Sequence, residues 1–208
     1  MRQPIKGKTK MIRKRIKIRN LRYIMIVYFI LLLVMFILPF YSAEGYSLFK
    51  NTTSQLGAQN TPNSWIMNIT FGLLGLASIL EVMFHLRRFW FQKVMLSIFG
   101  LSLILTAVFS HAPIIENLPY NEVENQLHSI FASIVGFSFT VFSVSVAFIE
   151  QGKVRRILAL FVGLTATVLS LLMFYISDYS GLWQRVMFVI SFAWLIFLFE
   201  GMRVYQDS

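Results

Sequence analysis

Two histidines, one aspartate and one arginine stand where apolar runs begin or end: His111, His128, Asp178 and Arg185. Neutral imidazole is the commonest protein ligand for a metal ion. His111, His128 and Asp178 together would suit a divalent cation with one position open for water. A glutamate from the intervening "APIIENLPYNEVENQL" (Glu116, Glu122 or Glu124) would then act as base in a hydrolase or transferase. The spacing matches no known ligand motif: there is no His-Glu-x-x-His, no His-x-x-Glu-His, and no second histidine on the same helix. The alternative is a set of rim residues hydrogen-bonded to one another and to the polar stretch "SQLGAQNTPNSW" at 54–65, in which Ser54 and Gln55 are the nearest partners. Asn68, about a turn further on, belongs to the same level. A second group, Glu81 and His85, is spaced to share one helix face, with Arg88 a turn beyond. A glutamate there needs a partner such as a neighbouring Arg or Lys.

The elements that must position these groups are membrane helices. Of 208 residues, 57% are hydrophobic and 13% charged, too little polar surface for a water-soluble domain of this length. Apolar runs of spanning length fall at about 23–41, 65–86, 92–110, 128–149, 157–177 and 184–203. Backbone groups in hydrocarbon must bond within their own segment, so each run is a helix. The expectation is an all-α, polytopic six-transmembrane-helix bundle: a basic tail (1–22), a membrane domain (23–203) and a short C-terminus (204–208). Tyr41, Tyr46, Trp65, Trp90, Tyr179 and Trp183 cluster near span ends, where aromatic rings favour the headgroup zone.

Charge orients the bundle. Residues 1–22 carry ten Lys/Arg and no acid, and with the N-terminus cytoplasmic 17 of the 19 Lys/Arg fall inside, leaving only Lys50 and Arg185 outside. Both termini are then cytoplasmic, and "SQLGAQNTPNSW" faces outward. A basic tail joined directly to a span meets anionic lipid in preference to nucleic acid. The absence of cysteine excludes disulfides, thiolate metal sites and a cysteine nucleophile; no cofactor is expected.

Small and polar residues mark where membrane helices pack. Span two carries Asn68, Gly72, Gly75, Ile79 and Val82 on one face; span three Ser97, Gly100, Ile104, Ala107 and His111; span four His128, Ala132, Gly136, Thr140, Ser143 and Ala147; span five Gly163, Thr167, Ser170, Phe174 and Ser177. Spans two to five are the expected core, and the uniformly bulky span one is expected to face lipid. The polar loop, with Trp65 anchoring its end and Gly57 permitting a tight turn, is expected to fold down as a lid, with Ser54, Gln55 and Asn60 meeting His128 and Asn68.

Three features occur together: "S-x-LG" followed by Asn and Trp before "N-x-x-F-G-L-L-G-L", a short polar loop after span three, and "LHSIFASIVGF" opening span four. In these the chain resembles the bacterial and archaeal six-span family catalogued as domain of unknown function 998 and, more distantly, the eukaryotic Frag1/DRAM/Sfk1 membrane proteins. The resemblance covers about 23–203 and carries over Ser54, Leu56, Gly57, Asn68, Gly72, Gly75, His128 and Ala132. It implies six helices and no established activity. "FSHAP" at 109–113 departs from the pattern, so no role is carried over to His111. The expected protein is a non-enzymatic, multi-pass component of a prokaryotic plasma membrane and envelope, binding lipid or a membrane-protein partner through an outward pocket of Asn68, His111, His128, Asp178 and Arg185. The rivals are an outward-facing enzyme acting on lipid and a small transporter or flippase.

Overall fold

The computed structural model describes residues 22–86, 88–115 and 117–207. The basic tail before Arg22, together with Arg87, Glu116 and Ser208, lies outside the described residues. The elements are α1 (Tyr23–Ile37, prolonged by a 3-10 turn Leu38–Tyr41), α2 (Thr53–Leu56), α3 (Ser64–His85), α4 (Trp90–Val108), α5 (Glu122–Ile149), α6 (Lys153–Tyr175), a 3-10 turn Ser177–Tyr179, and α7 (Ser180–Asp207); no strand occurs among the described residues. Among the described residues, six helices are long and apolar enough to cross a membrane. α3, α4, α5, α6 and α7 each touch the next, and α1 closes the ring against α3 and α7. The connectors 42–63, 109–121 and 176–179 share one end of the bundle, called here the loop face.

The first helix is not wholly lipid-facing. Ile24, Tyr28, Leu31 and Met35 form a buried stripe at spacings of four, three and four, while Ile26, Phe29, Leu33 and Phe36 are exposed. Nor are the second to fifth spans the sole core. Half of the central window of α3 and of α7 is buried, against 28% in α1 and α6. α7 has no stripe of small residues; it fills the bundle with rings. Phe71, Phe188, Phe192, Phe99, Phe139, Trp194 and Phe142 make a continuous chain with centroids 5.5–6.1 Å apart. Such pairs contribute about 1 kcal/mol each beyond their burial.

The small faces of α3 and α4 do meet. A Cβ on Gly75 would overlap the carbonyl oxygen of Gly100, and one on Gly100 would lie 2.5 Å from that of Gly75. Gly163 is fitted less tightly, 3.3 Å from Val144. Gly72 and Gly136 have room, with nearest neighbours at 4.0 and 3.9 Å; they do not set a helix spacing.

α5 starts six residues before the expected 128. Asn121 caps it by accepting from the Glu124 N–H (3.2 Å), and Glu122 and Glu124 lie in its first turn, where carboxylates complement the helix dipole. The acids that look like loop in the sequence are the polar first turn of a helix.

Candidate functional site

His128 enters from α5 to finish α4. The last carbonyls of a helix lack intrahelical donors, and the His128 Nδ1 lies 3.1 Å from Thr106 O and 2.8 Å from Phe109 O. Carbonyls only accept, so Nδ1 carries the proton and Nε2 is a bare acceptor. The residue is 3% exposed, and Nε2 is buried with no hydrogen-bond partner. His111 stands perpendicular to it, with ring centroids 5.4 Å apart, and its Nδ1 donates to Ala112 O (2.9 Å). The two imidazoles thus share a tautomer, each leaving Nε2 as an acceptor.

Both rings line a cavity of about 600 Å³ bounded by α5, α6, α7 and the loop-face end of α4. Its shape follows from how α5 and α6 are tied. Near their short connection, Ser143 donates to Ala159 O (2.7 Å), and Thr140 meets Thr167 (3.2 Å). Toward the loop face, Ala132, Ser133, Gly136, Ser170, Leu171 and Phe174 border the cavity. Phe137, Leu171 and Phe174 (82% exposed) line it and also face outward, so the cleft opens sideways through the apolar flank. Thr52, Ser54 and Gln184 close its loop-face end.

Of the residues expected at the site, His111, His128 and Ser54 line the cavity. Asn68 and Gln55 hold the lid. Asn68 Nδ2 donates to Gly57 O (3.1 Å), and a Cβ on Gly57 would overlap Asn68 Oδ1. Gln55 forms a capping box with Thr52 at the start of α2. Asp178 sits exposed on the 3-10 turn and does not border the cavity, so the grouping of His111, His128 and Asp178 does not form. No cluster of three His, Cys, Asp or Glu suited to a metal ion occurs among the described residues.

The polar stretch is packed down. Leu56 and Ala58 are fully buried, and Gln59 bonds through main chain and side chain to His111 O, Ser110 O and Asn121. Asn60 donates to Pro119 O (2.9 Å) and Asn63 to Tyr41 O (2.8 Å). These partners differ from the expected ones, since Asn60 does not meet His128 or Asn68. Gln184 Oε1 accepts from the Thr53 N–H (2.6 Å) and hydroxyl.

Arg185, 4% exposed, clamps the preceding segment. The two N–H groups of one guanidinium nitrogen are shared among Leu48 O, Asn51 O and Gly181 O at 2.7–2.9 Å, and the other nitrogen donates to the Tyr46 hydroxyl (2.6 Å). Burial raises the Tyr46 phenol above its ordinary range, and the adjacent Arg185 charge partly opposes this. The first N–H groups of α7 are met by the same loop: Gly181 N donates to Lys50 O and Leu182 N to Phe49 O. Gly181 is obligatory, because a Cβ there would overlap Asn51 O.

At the opposite end, Glu81 and His85 form a buried pair on α3 (3.0 Å), with Glu81 Oε1 near the Ile24 N–H (3.5 Å) and His85 against Phe199. Arg22 pairs with Glu200 (3.1 Å).

The residues that sequence reasoning assigned to packing but that border the cleft are Ala132, Gly136, Thr140, Thr167, Ser170 and Phe174. Their signal was visible: Ala132, Gly136, Thr140, Thr167 and Ser170 are too small to fill the space between α5 and α6.

The sequence profile of one family matches residues 25–199, which include both imidazoles and most of each long helix. No curated protein and no solved structure matches the chain significantly. The matching family is described as a protein of unknown function (DUF998), and the chain belongs to it, as a multi-pass membrane protein.

Proposed function

We propose that this DUF998 member is a non-enzymatic lipid-binding protein of a prokaryotic plasma membrane, with its loop face outward, and that it takes a lipid sideways into the cleft between α5 and α6. The observation that carries the reading is the exposed apolar rim of Phe137, Leu171 and Phe174 on a cavity of about 600 Å³, a volume in the range of small-ligand sites. The sequence supports the orientation, because 17 of its 19 Lys/Arg fall in the tail or in the segments on the cytoplasmic side when the N-terminus is inside. A membrane hydrolase is favoured less, because Asp178 stands apart from the imidazole pair. Transport is favoured less because the cleft ends at the Thr140–Thr167 contact.

The test is photolabelling of purified protein in bilayer nanodiscs with a lipid carrying a diazirine in its acyl chain. Labels should concentrate on 132–137 and 171–174 and fall at least fivefold in Ala132→Trp, which fills the mouth. Labelling spread evenly over the flank, with Phe29 and Leu33 of α1 marked as strongly, would defeat the proposal.

A further inference from the structure

Resting on the lipid reading of the cleft, the geometry points to its preferred occupant: we infer a neutral glycerolipid bearing a free hydroxyl, such as a diacylglycerol or its glycosylated form, in preference to a phospholipid. Among the described residues, no Lys, Arg, Asp or Glu borders the cavity, so no charge there balances a phosphate. Along α4, α5 and α6 the hydroxyls that border it have spent their protons on the protein, and donors remain only at the loop-face end, on Ser54 and the Gln184 amide. Ser129 donates to Asn125 O and Ser133 to Ser129 O, both at 2.9 Å. Thr106 donates to Leu103 O (2.8 Å). Thr167 donates to Gly163 O (3.0 Å), which leaves Thr140 to donate to Thr167. Each of these hydroxyls therefore shows the cavity lone pairs.

The histidines complete the pattern. Both Nδ1–H groups are used on carbonyls, and His128 Nε2 is a buried acceptor without a donor. A buried polar atom left unpaired is costly. An acceptor-lined site repels a phosphate, whose oxygens only accept, and rewards a ligand that donates. A glycerol or sugar hydroxyl supplies that donor once the neighbouring His111 ring turns aside to uncover Nε2, while the acyl chains leave through the sideways mouth.

The experiment compares 1,2-dioleoylglycerol, its 3-acetyl ester and dioleoylphosphatidylcholine as competitors of the diazirine lipid on the full chain. The free alcohol should bind about tenfold more tightly than the ester, the worth of one buried hydrogen bond, and more tightly than phosphatidylcholine. His128→Asn keeps an amide donor where Nδ1 stood and has no atom at Nε2. It should bring the alcohol-to-ester ratio close to one with a nearly unchanged melting temperature. His111→Asn is the second variant, should the first not fold, and should lower the same ratio. Equal binding of alcohol and ester to the wild type, or preference for phosphatidylcholine, overturns the hydroxyl selection while lipid binding stands. No competition by any of the three removes the lipid reading itself.

Discussion

Replacing Gly100 by alanine adds one carbon where α3 and α4 are closest. That carbon would sit 2.5 Å from Gly75 O and 2.8 Å from Ile79 Cγ1. Ordinary contact needs about 3.5 Å, so the helices must part by about 1 Å, which forfeits a quarter to a half of each dispersion contact near the crossing. Overpacking of this kind costs about 2–3 kcal/mol. Alanine returns about 1 kcal/mol of intrinsic helix propensity, leaving a net loss of about 1–2 kcal/mol. Gly72→Ala on the same face gains the propensity without the clash, since its new carbon meets only Ala107 at 4.0 Å. The two variants should therefore move in opposite directions, separated by about 2–3 kcal/mol, or roughly 5–10 °C at this chain length. Thermal unfolding of both in one detergent, followed by tryptophan fluorescence, reads the difference. Equal melting temperatures, or a more stable Gly100→Ala, would refute the account of how these helices approach.

Arg185→Gln removes the charge that gathers Leu48 O, Asn51 O and the Tyr46 hydroxyl; trypsin should then cleave after Lys50 at least tenfold faster than in the wild type, and an unchanged rate would show that the clamp does not hold the lid. Gly57→Ala should destabilise by about 2 kcal/mol through overlap with Asn68, and adding Asn68→Ala should recover part of that loss; additive losses would deny the contact. Cysteines placed at the exposed Lys50, Tyr120 and Asp178 should react with an impermeant maleimide on intact cells, and one at Gln151 should not; the reverse pattern would invert the bundle.

The helices were legible because each apolar run exceeds the thickness of a bilayer. The start of α5 was not, because Glu122 and Glu124 are read as loop by any hydropathy criterion and only the Asn121 cap marks the true boundary. His111 and His128 could be placed together, since each ends a small-residue face at the same depth. Asp178 shares that depth, but depth does not fix direction around the bundle, and the turn after α6 carries it outward. The stripes of α3–α4 and of α5–α6 look alike in sequence, yet one pair closes on Gly75 and Gly100 and the other frames a cavity. Small side chains permit approach without compelling it. The partners of Arg185 were illegible for a plainer reason: backbone carbonyls leave no mark on residue type.

The clamp on the first connector has a consequence for synthesis. Thr53 is bonded to Gln184 and Tyr46 to Arg185, partners 131 and 139 positions apart in the chain. At about 5–20 residues per second, the connector waits on the order of ten seconds after it is made before Gln184 and Arg185 exist. Four membrane helices are laid down in that interval. Until the sixth arrives, the segment must remain hydrated and unattached, and a stickier sequence would have time to pair wrongly. Its many Asn, Gln, Ser and Thr side chains suit that wait as well as the final contacts. A chain stalled before α7 therefore carries an unfastened loop, a ready mark by which surveillance proteases could distinguish an unfinished molecule from a complete one.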